Sequence, residues 1–106
     1  MNRYLEIAMD VAKKSKCRHK HGCVIVRNGK IISISTNKKI RDPKISWRNA
    51  HVHAEFAALA AAGTLASGSN VYVARVSADG SPAPSEPCKK CKSILDRAGV
   101  SKVVWT

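Results

Sequence analysis

The sequence predicts an α/β fold in which helices cover a mixed sheet of about four strands. Helix-like and strand-like segments follow one another in the order α-β-β-α-β-α-β, and strands that are joined through helices are typical of sheets with parallel neighbours. The 106 residues, 44% of them hydrophobic, are enough for one core and little else. We therefore expect a single domain over residues 1–106.

The first half of the chain predicts a helix, a hairpin and a long loop. Apolar residues at positions 4, 8, 11 and 12 have the spacing of a helix buried on one face, which we place over 1–14. After a basic loop, β-branched runs at 23–27 and 30–36 flank Asn28-Gly29, the preferred pair for a type I′ turn. Residues 37–52 have many charges and no period, so we predict a loop there.

The second half predicts two helices and two strands. In order, they are a helix over 54–62, a strand over 71–76, a turn region over 77–85, a helix over 89–98 and a strand over 100–105. Gly63 and Gly99 lie just past the two helices and Pro87 lies just before the second, positions that these residues favour.

The charge is strongly positive. Lysine and arginine number 19 against 7 acidic residues, a formal net charge of +12, and thirteen of the basic residues lie in the first 50 positions. This excess predicts a phosphorylated partner such as a nucleotide, RNA or DNA. No apolar run is long enough to cross a bilayer and no signal segment is evident, so we expect a cytoplasmic protein without a membrane partner, in which the four cysteines are thiols or metal ligands.

Two short motifs carry the chemistry: His53-Ala54-Glu55 and Pro87-Cys88-Lys89-Lys90-Cys91. A catalytic zinc ion needs three protein ligands and one open position for water, and one histidine with two cysteines supplies that set. Cys88 and Cys91 lie on one face of a helix, whose positive N-terminal end favours thiolates. Glu55 is too close to His53 to be a comfortable fourth ligand, but it is well placed to act as a base on the metal-bound water.

A structural zinc site or a pair of buried thiols is the alternative for the Cys-x-x-Cys pair. A structural site needs four ligands, and Cys17 or Cys23 would have to complete it. The combination of His-x-Glu at one helix start with Pro-Cys-x-x-Cys at the next is the signature of zinc nucleobase deaminases, and it favours the catalytic interpretation.

These motifs resemble the cytidine deaminase superfamily, and most closely its deoxycytidylate deaminase branch. The segments Ser15-Lys16-Cys17, Gly22-Cys23-Val24-Ile25-Val26 and Asn28-Gly29-Lys30-Ile31-Ile32-Ser33 look like the end of the branch's first helix and its hairpin, and Val103-Val104-Trp105 looks like the strand after its second zinc helix. The resemblance implies a three-layer fold with Zn²⁺ as cofactor, held by His53, Cys88 and Cys91.

The resemblance also implies the reaction and its residues. It is a hydrolytic deamination in which zinc-bound hydroxide attacks C4 of a cytosine ring, Glu55 shuttles the proton and ammonia leaves. Asn37 lies where the family contacts the sugar or base, Ala54 is among the substrate-binding positions, and the carbonyl of Ser85 resembles one that accepts a hydrogen bond from the departing amine.

The chain departs from the family pattern in two places. Lys38, Lys39 and Arg41 follow Asn37 where the family usually has glycine and proline. The sequence also stops after the last predicted strand, where many relatives continue. We expect this strand to form an exposed edge and the protein to be a homo-oligomer.

Further residues are candidates for substrate binding. Arg18 belongs to a basic set that favours an anion site and also contains Lys20, Lys38, Lys39, Arg41 and Arg48. Trp47 is expected either to stack on a base or to pack in the core. The roles of His51, Cys17 and Cys23 stay open.

The sequence therefore predicts a deaminase of a free cytosine nucleotide of the dCMP or dCTP type. One alternative is a deaminase of cytosine or adenine in single-stranded DNA or RNA, which the basic excess favours. A second is a non-catalytic zinc module that binds nucleic acid, against which the presence of Glu55 argues.

Overall fold

The computed structural model describes residues 2–41 and 49–106, except for the side chains of 39–41 and 49–51. Its helices are α1 Arg3–Lys13, α2 Ala54–Ala62 and α3 Lys89–Arg97, with a 3-10 helix Gly63–Ala66 directly after α2. Its strands are β1 Lys20–Arg27, β2 Lys30–Thr36, β3 Lys38–Arg41, β4 Asn49–Val52, β5 Asn70–Val76, β6 Pro82–Ala83 and β7 Lys102–Trp105.

The main sheet has five strands of mixed direction. Strand β1 lies between β2 and β5 and is antiparallel to both. On the other side of β5, β7 pairs in parallel with its first half and β6 pairs antiparallel with its last two residues. The predicted mixed α/β sheet is confirmed, and it has one more strand than expected because of the two-residue β6.

The predicted loop over 37–52 is wrong at both of its ends. Strands β3 and β4 pair antiparallel from Lys38 opposite Val52 to Arg41 opposite Asn49, which makes a separate two-stranded sheet. Each strand has only four residues and three of the four in β3 are charged, so neither is long enough for a strand pattern to stand out from a charged loop, and backbone pairing itself leaves no signal in the sequence.

The β1–β2 hairpin has the predicted turn. Asn28 and Gly29 have φ angles of 52° and 75°, and a type I′ turn requires positive φ at both central residues. The turn fixes the register of the hairpin, and so decides which β1 side chains face each side of the sheet.

Side chains from β1 alternate between two cores. Val24 and Val26 pack with α1 on one face of the sheet, whereas Cys23 and Ile25 pack with α2 and α3 on the other. Both faces of β1 are covered, which explains why its sequence is a continuous apolar run. The predicted three-layer arrangement, helix–sheet–helices, is confirmed.

Helix α1 approaches β1 most closely at Gly22. A Cβ atom there would overlap the Ala8 carbonyl oxygen and would lie 2.5 Å from the Ala12 nitrogen. A side chain at this position would therefore push the helix off the sheet. The close contact holds the end of α1, and the loop that follows it, against the start of β1.

Strand β7 pairs only with β5 among the described strands. Its other edge is therefore unpaired within residues 2–41 and 49–106, as expected for the last strand; homo-oligomer formation stays a prediction. Within the same residues, no helix is both long and apolar enough to cross a membrane.

Candidate metal centre and adjoining cavity

Two helix N-termini converge on one point of the structure. His53 is the N-cap of α2 and Cys88 is the N-cap of α3, and neither side chain makes a capping hydrogen bond to its own helix. The imidazole and the thiol are therefore available to coordinate a metal ion. The first backbone N–H groups of each helix also point toward this region, where they make the potential positive.

The three predicted metal ligands lie together. The Nδ1 atom of His53 is 3.2 Å from the Sγ atom of Cys91 and 3.8 Å from that of Cys88, and all the ligand atoms of the cluster lie within 4.8 Å of one another. Nitrogen and sulfur ligands on a zinc tetrahedron, with bonds of about 2.1 and 2.3 Å, are about 3.6 Å apart. The donor set and its spacing fit a zinc ion.

Cys17 and Cys23 do not join this cluster. Among the described residues, His53, Cys88 and Cys91 are the only group of three or more possible ligands. Cys23 is fully buried in the core formed with α2 and α3, and Cys17 is half-buried on the α1–β1 loop. The four-ligand structural site therefore gains no support, and the three-ligand set leaves a coordination position for water.

Glu55 lies in the first turn of α2, only 5% exposed, and lines the same cavity as His53 and Cys88. The ion pairs among the described residues are Lys13 with Asp10 and Lys92 with Glu86, so the structure gives Glu55 no cationic side-chain partner there. A buried carboxylate beside two cysteines is unfavourable unless a cation compensates it. This need independently supports a metal ion in the cluster.

The pKa shifts of the two buried thiols, Cys91 and Cys23, are consistent with this requirement for a cation. Burial, and next the Glu55 carboxylate, raise the pKa of the Cys91 thiol far above its usual range. Burial also raises the pKa of Cys23, with the same carboxylate adding to the effect. A coordinating metal ion deprotonates its thiol ligands, so it would reverse this effect at Cys91, but not at Cys23 in the core.

A cavity of about 400 Å³ opens in front of the cluster. Pockets of roughly 300–1,000 Å³ are usual for small-molecule ligands. One wall is formed by the N-termini of α2 and α3, and the other by the α1–β1 loop and the end of β2. The lining residues are Cys17, Arg18, His19, His21, Asn37, Val52, His53, Ala54, Glu55, Ser85, Glu86 and Cys88.

Asn37 lines this cavity, and its side chain also holds the loop wall in place. Its Oδ1 accepts hydrogen bonds from the Ser15 hydroxyl at 2.6 Å and the His21 backbone N–H at 3.0 Å. Its Nδ2 donates to the His19 carbonyl at 2.6 Å. Most of the amide's bonding capacity is thus used within the protein, a structural role that the sequence did not predict.

Ser85 is buried and also lines the cavity. Its hydroxyl donates to the Val73 carbonyl at 2.9 Å and lies 2.8 Å from the Thr106 hydroxyl. Its side chain therefore ties the segment before α3 to the sheet. The hydrogen bonds found among the described residues include none accepted by the Ser85 carbonyl, the group expected to meet the substrate.

The structure places the other predicted binding residues as follows. Ala54 is fully buried at the start of α2, and Arg18 is exposed at the mouth of the cavity; both line it. Trp47 and Arg48 lie outside the described residues. The side chains of Lys39, Arg41 and His51 are also outside the described set, although their backbones belong to β3 and β4.

Three residues in or beside the loop wall were not predicted as functional: His19 and His21, which line the cavity, and Arg75, which contacts His19. His21 stands opposite Arg75 in the β1–β5 register, and the Arg75 Nη2 atom is 3.2 Å from the His19 Nδ1 atom. Burial lowers the pKa of His21 against the opposing effect of Glu55, and Arg75 lowers it further. Their proximity depends on strand pairing between distant segments, so no local motif signals it.

A comparison with protein families decides the assignment. The profile described as "Cytidine and deoxycytidylate deaminase zinc-binding region" matches residues 1–106. The chain belongs to this family. The matched region is the zinc-binding region of the family, and among the described residues His53, Cys88 and Cys91 are the group placed to hold the zinc ion.

Individual relatives differ in what they act on. The chain is 31% identical to the riboflavin biosynthesis protein RibD of Aquifex aeolicus over 95% of its length, but spans only 26% of that relative. It resembles the dCMP deaminase of cyanophage S-TIM5, solved with dCMP and dUMP, with a TM-score of 0.74, 24% identity and coverage of 99% of this chain and 82% of that one.

A third similarity is to a bifunctional protein of Thermotoga maritima. It is a diaminohydroxyphosphoribosylaminopyrimidine deaminase/5-amino-6-(5-phosphoribosylamino)uracil reductase, matched with a TM-score of 0.65, 21% identity and coverage of 96% of this chain and 28% of that one. The solved structures share the fold of this chain, but their substrates differ.

Proposed function

We propose that this deaminase hydrolyses the exocyclic amine of a cytosine-containing nucleotide of the dCMP or dCTP type, giving the uracil form and ammonia. The observation that carries the proposal is the buried carboxylate of Glu55 on the wall of the cavity that holds the three metal ligands. A purely structural zinc site has no use for a buried acid beside it.

Each protein group has a defined task in this reaction. His53, Cys88 and Cys91 would hold the zinc ion, which would activate a water molecule near neutral pH. The Glu55 carboxylate would accept one proton of the water and pass it to N3 of the ring. It would then carry the second proton, from the hydroxyl group added at C4, to the departing amine. Because Glu55 is shielded from solvent, its proton is kept for the ring and is not exchanged with bulk water.

The remaining wall residues orient the ring and its substituents. The backbone N–H of Ala54, in the first turn of α2, lacks an intrahelical acceptor and is available to a ring oxygen. The Ser85 carbonyl is available to accept a hydrogen bond from the leaving amine. Asn37 holds the loop wall in the position where it would contact the sugar. Arg18 at the mouth is suited to a phosphate group.

Relatedness supports this choice of substrate class. The cyanophage protein that shares the fold over most of both chains binds dCMP and dUMP, which differ by the amine that is hydrolysed. The cavity volume of about 400 Å³ suits one nucleotide better than a folded nucleic acid. The excess of positive charge is consistent with a phosphorylated substrate.

A second candidate is the deamination of an aminopyrimidine that carries a ribosyl phosphate. It is favoured by the 31% identity to the Aquifex RibD protein and by the activity of the Thermotoga protein of the same fold. The two candidates share a ring amine, a sugar and a phosphate, so the residues named above would serve both. They differ in the substituents of the ring and in the sugar, which in the second candidate is a ribose attached through an amino group.

A substrate panel tests the proposal. Zinc-loaded protein is incubated with dCMP, dCTP, deoxycytidine, a cytosine-containing single-stranded oligonucleotide and the diaminopyrimidine ribosyl phosphate, and ammonia release is followed, with Glu55→Gln as the background control. We expect turnover of dCMP or dCTP. Turnover of the diaminopyrimidine alone would select the second candidate, and turnover of the oligonucleotide alone would refute both.

A further inference from the structure

The guanidinium of Arg75 has an unusual environment for a partly buried arginine. Neither ion pair of the described residues includes it, and its Nε atom is buried without a hydrogen-bond partner among those residues. A buried donor that lacks an acceptor is energetically unfavourable. The resting arrangement therefore leaves part of the binding capacity of this cation unused.

The backbone at Arg75 is nevertheless firmly held. It pairs with His21 of β1 on one side and with Ala83 of β6 on the other, and its N–H donates to the Thr106 hydroxyl at 3.2 Å. Together with the contact to His19, this backbone holds the guanidinium next to a residue that lines the cavity. Preorganisation of this kind reduces the entropic cost of binding.

His19 connects Arg75 to the cavity. Arginine has no acceptor, so in the 3.2 Å contact the Nδ1 atom of His19 accepts from Nη2 of Arg75. In this arrangement the proton of a neutral His19 ring lies on Nε2, which is a further donor. His19 and the neighbouring Arg18 both line the cavity, and Arg75 contacts His19, so three donor side chains lie close together at this side of the cavity.

We propose that Arg75, held by His19 and assisted by Arg18, binds the terminal phosphate of the substrate and makes the enzyme selective for a nucleotide over its nucleoside. This inference rests on the proposed function, because it requires the ring to occupy the metal end of the same cavity. Arginine is well suited to the role, since its planar fork of donors matches phosphate oxygens. The ligand class is a phosphomonoester on a small molecule, in keeping with the size of the cavity.

The first experiment does not depend on turnover. Zinc-loaded protein is titrated with ribose 5-phosphate and separately with ribose, and the Arg75 Nε–Hε resonance is followed by NMR. We expect saturable shifts with ribose 5-phosphate and none with ribose. If the Arg75 resonance does not shift with ribose 5-phosphate, the inference is overturned, even if the enzyme deaminates dCMP. Saturable binding without deamination of any substrate would contradict only the proposed function.

The second experiment measures selectivity with matched variants. The ratio of kcat/KM for dCMP to that for deoxycytidine is determined for the wild type, for Arg75→Gln and for Arg27→Gln. Arg27 is the last residue of β1, at the opposite end of that strand from the cavity residue His21. We expect Arg75→Gln to lower the ratio by about 10- to 100-fold, the usual worth of a charged hydrogen bond, and Arg27→Gln to preserve it. Equal losses in the two variants would show a general charge effect and overturn the inference.

His19 is a positioning residue in this scheme, and a pair of variants tests it. Asparagine can place an oxygen acceptor near the position of Nδ1, whereas alanine cannot. We expect His19→Ala to lower the selectivity ratio and His19→Asn to restore most of it. Equal ratios in His19→Ala and the wild type would remove His19 from the proposal.

The ligand class has its own test. An oligonucleotide that Arg75 binds more tightly than ribose 5-phosphate would show that the ligand is a phosphodiester and would overturn the assignment to a terminal phosphate.

Discussion

The two walls of the cavity are built in different ways. On the metal wall, His53 and Cys88 cap helices without hydrogen-bonding to them, and Glu55 has no cationic partner among the described residues. On the loop wall, Asn37 uses its amide to join Ser15, His19 and His21. The first wall keeps its functional groups free for chemistry, whereas the second uses them to hold its own shape.

This difference separates the effects of substitutions. A change on the metal wall should remove metal binding or proton transfer while it leaves most of the fold intact, because its side chains do little else. A change on the loop wall should alter stability and substrate binding together. Variants of the two walls therefore distinguish residues that act in chemistry from residues that hold the structure. The largest effect is expected at the metal ligands and the smallest at the buried thiol of Cys23.

Loss of a metal ligand should have the largest effect. Cys91→Ala leaves two ligands for the ion, and we expect zinc affinity to fall by more than the roughly 10- to 100-fold typical of changes around a metal site, with turnover at background. Metal content after dialysis and ammonia release measure the two effects. Cys23→Ala is the matched control, since it also removes a buried thiol facing α2; loss of zinc in that variant would contradict the three-ligand assignment.

Glu55→Gln should separate proton transfer from metal binding. The amide has nearly the same size as the carboxylate, so zinc should be retained, while kcat falls by about 10²–10⁴-fold, the usual contribution of an acid–base group. Glu6→Gln, an exposed acid on α1, is the control and should behave as the wild type. Full turnover by the Glu55 variant would show that another group carries the proton.

The metal wall could be predicted from sequence because its chemistry is local. His53 and Glu55 share one helix start, and Cys88 and Cys91 share another. Ligand chemistry and helical spacing then restrict the interpretation to a few possibilities. The convergence of the two helix starts was also anticipated, since one zinc ion needs ligands from both motifs.

The loop wall could not be predicted in the same way. Arg75 reaches His19 only because β1 and β5 pair in one particular register, and the structural task of Asn37 depends on three groups from the α1–β1 loop. Strands β3 and β4 were missed because each has only four residues and three of the four in β3 are charged, so neither shows a clear apolar period. Patterns along the chain record the side chains that face a core, and these elements depend on other interactions.

Asn37→Ala should have an intermediate effect. It removes two accepted hydrogen bonds and one donated bond, so we expect a loss of about 1–3 kcal/mol in the free energy of unfolding and faster amide exchange over residues 15–21. Zinc should remain bound, because no ligand is affected. Urea unfolding and hydrogen exchange measure these effects.

Asn70→Ala is the control for that substitution. Asn70 begins β5 on the same sheet, and the described residues give its side chain no hydrogen bond. If Asn37→Ala raised KM with unchanged exchange in the loop, its amide would act only on the substrate, and the contrast between the two walls would be weaker than proposed.

The smallest expected effect concerns pH and the two buried thiols. Burial raises the pKa of Cys23 well above the ordinary 9.0, so the folded state keeps its proton at a pH where the unfolded chain has lost it. The unfolded state then binds fewer protons, and the free energy of unfolding must decrease as the pH rises above 9, by about 1.4 kcal/mol per unit for one thiol.

Cys91 should not contribute to this decrease in the zinc-loaded protein, because the metal holds it as a thiolate. Of the two buried thiols, Cys23 alone should then contribute. We therefore expect Cys23→Ala to flatten the dependence of urea unfolding on pH between 9 and about 10.5, under reducing conditions. An unchanged slope in Cys23→Ala would mean that its thiol ionises in the folded protein, and that the core behind the metal wall is more accessible to water than its packing implies.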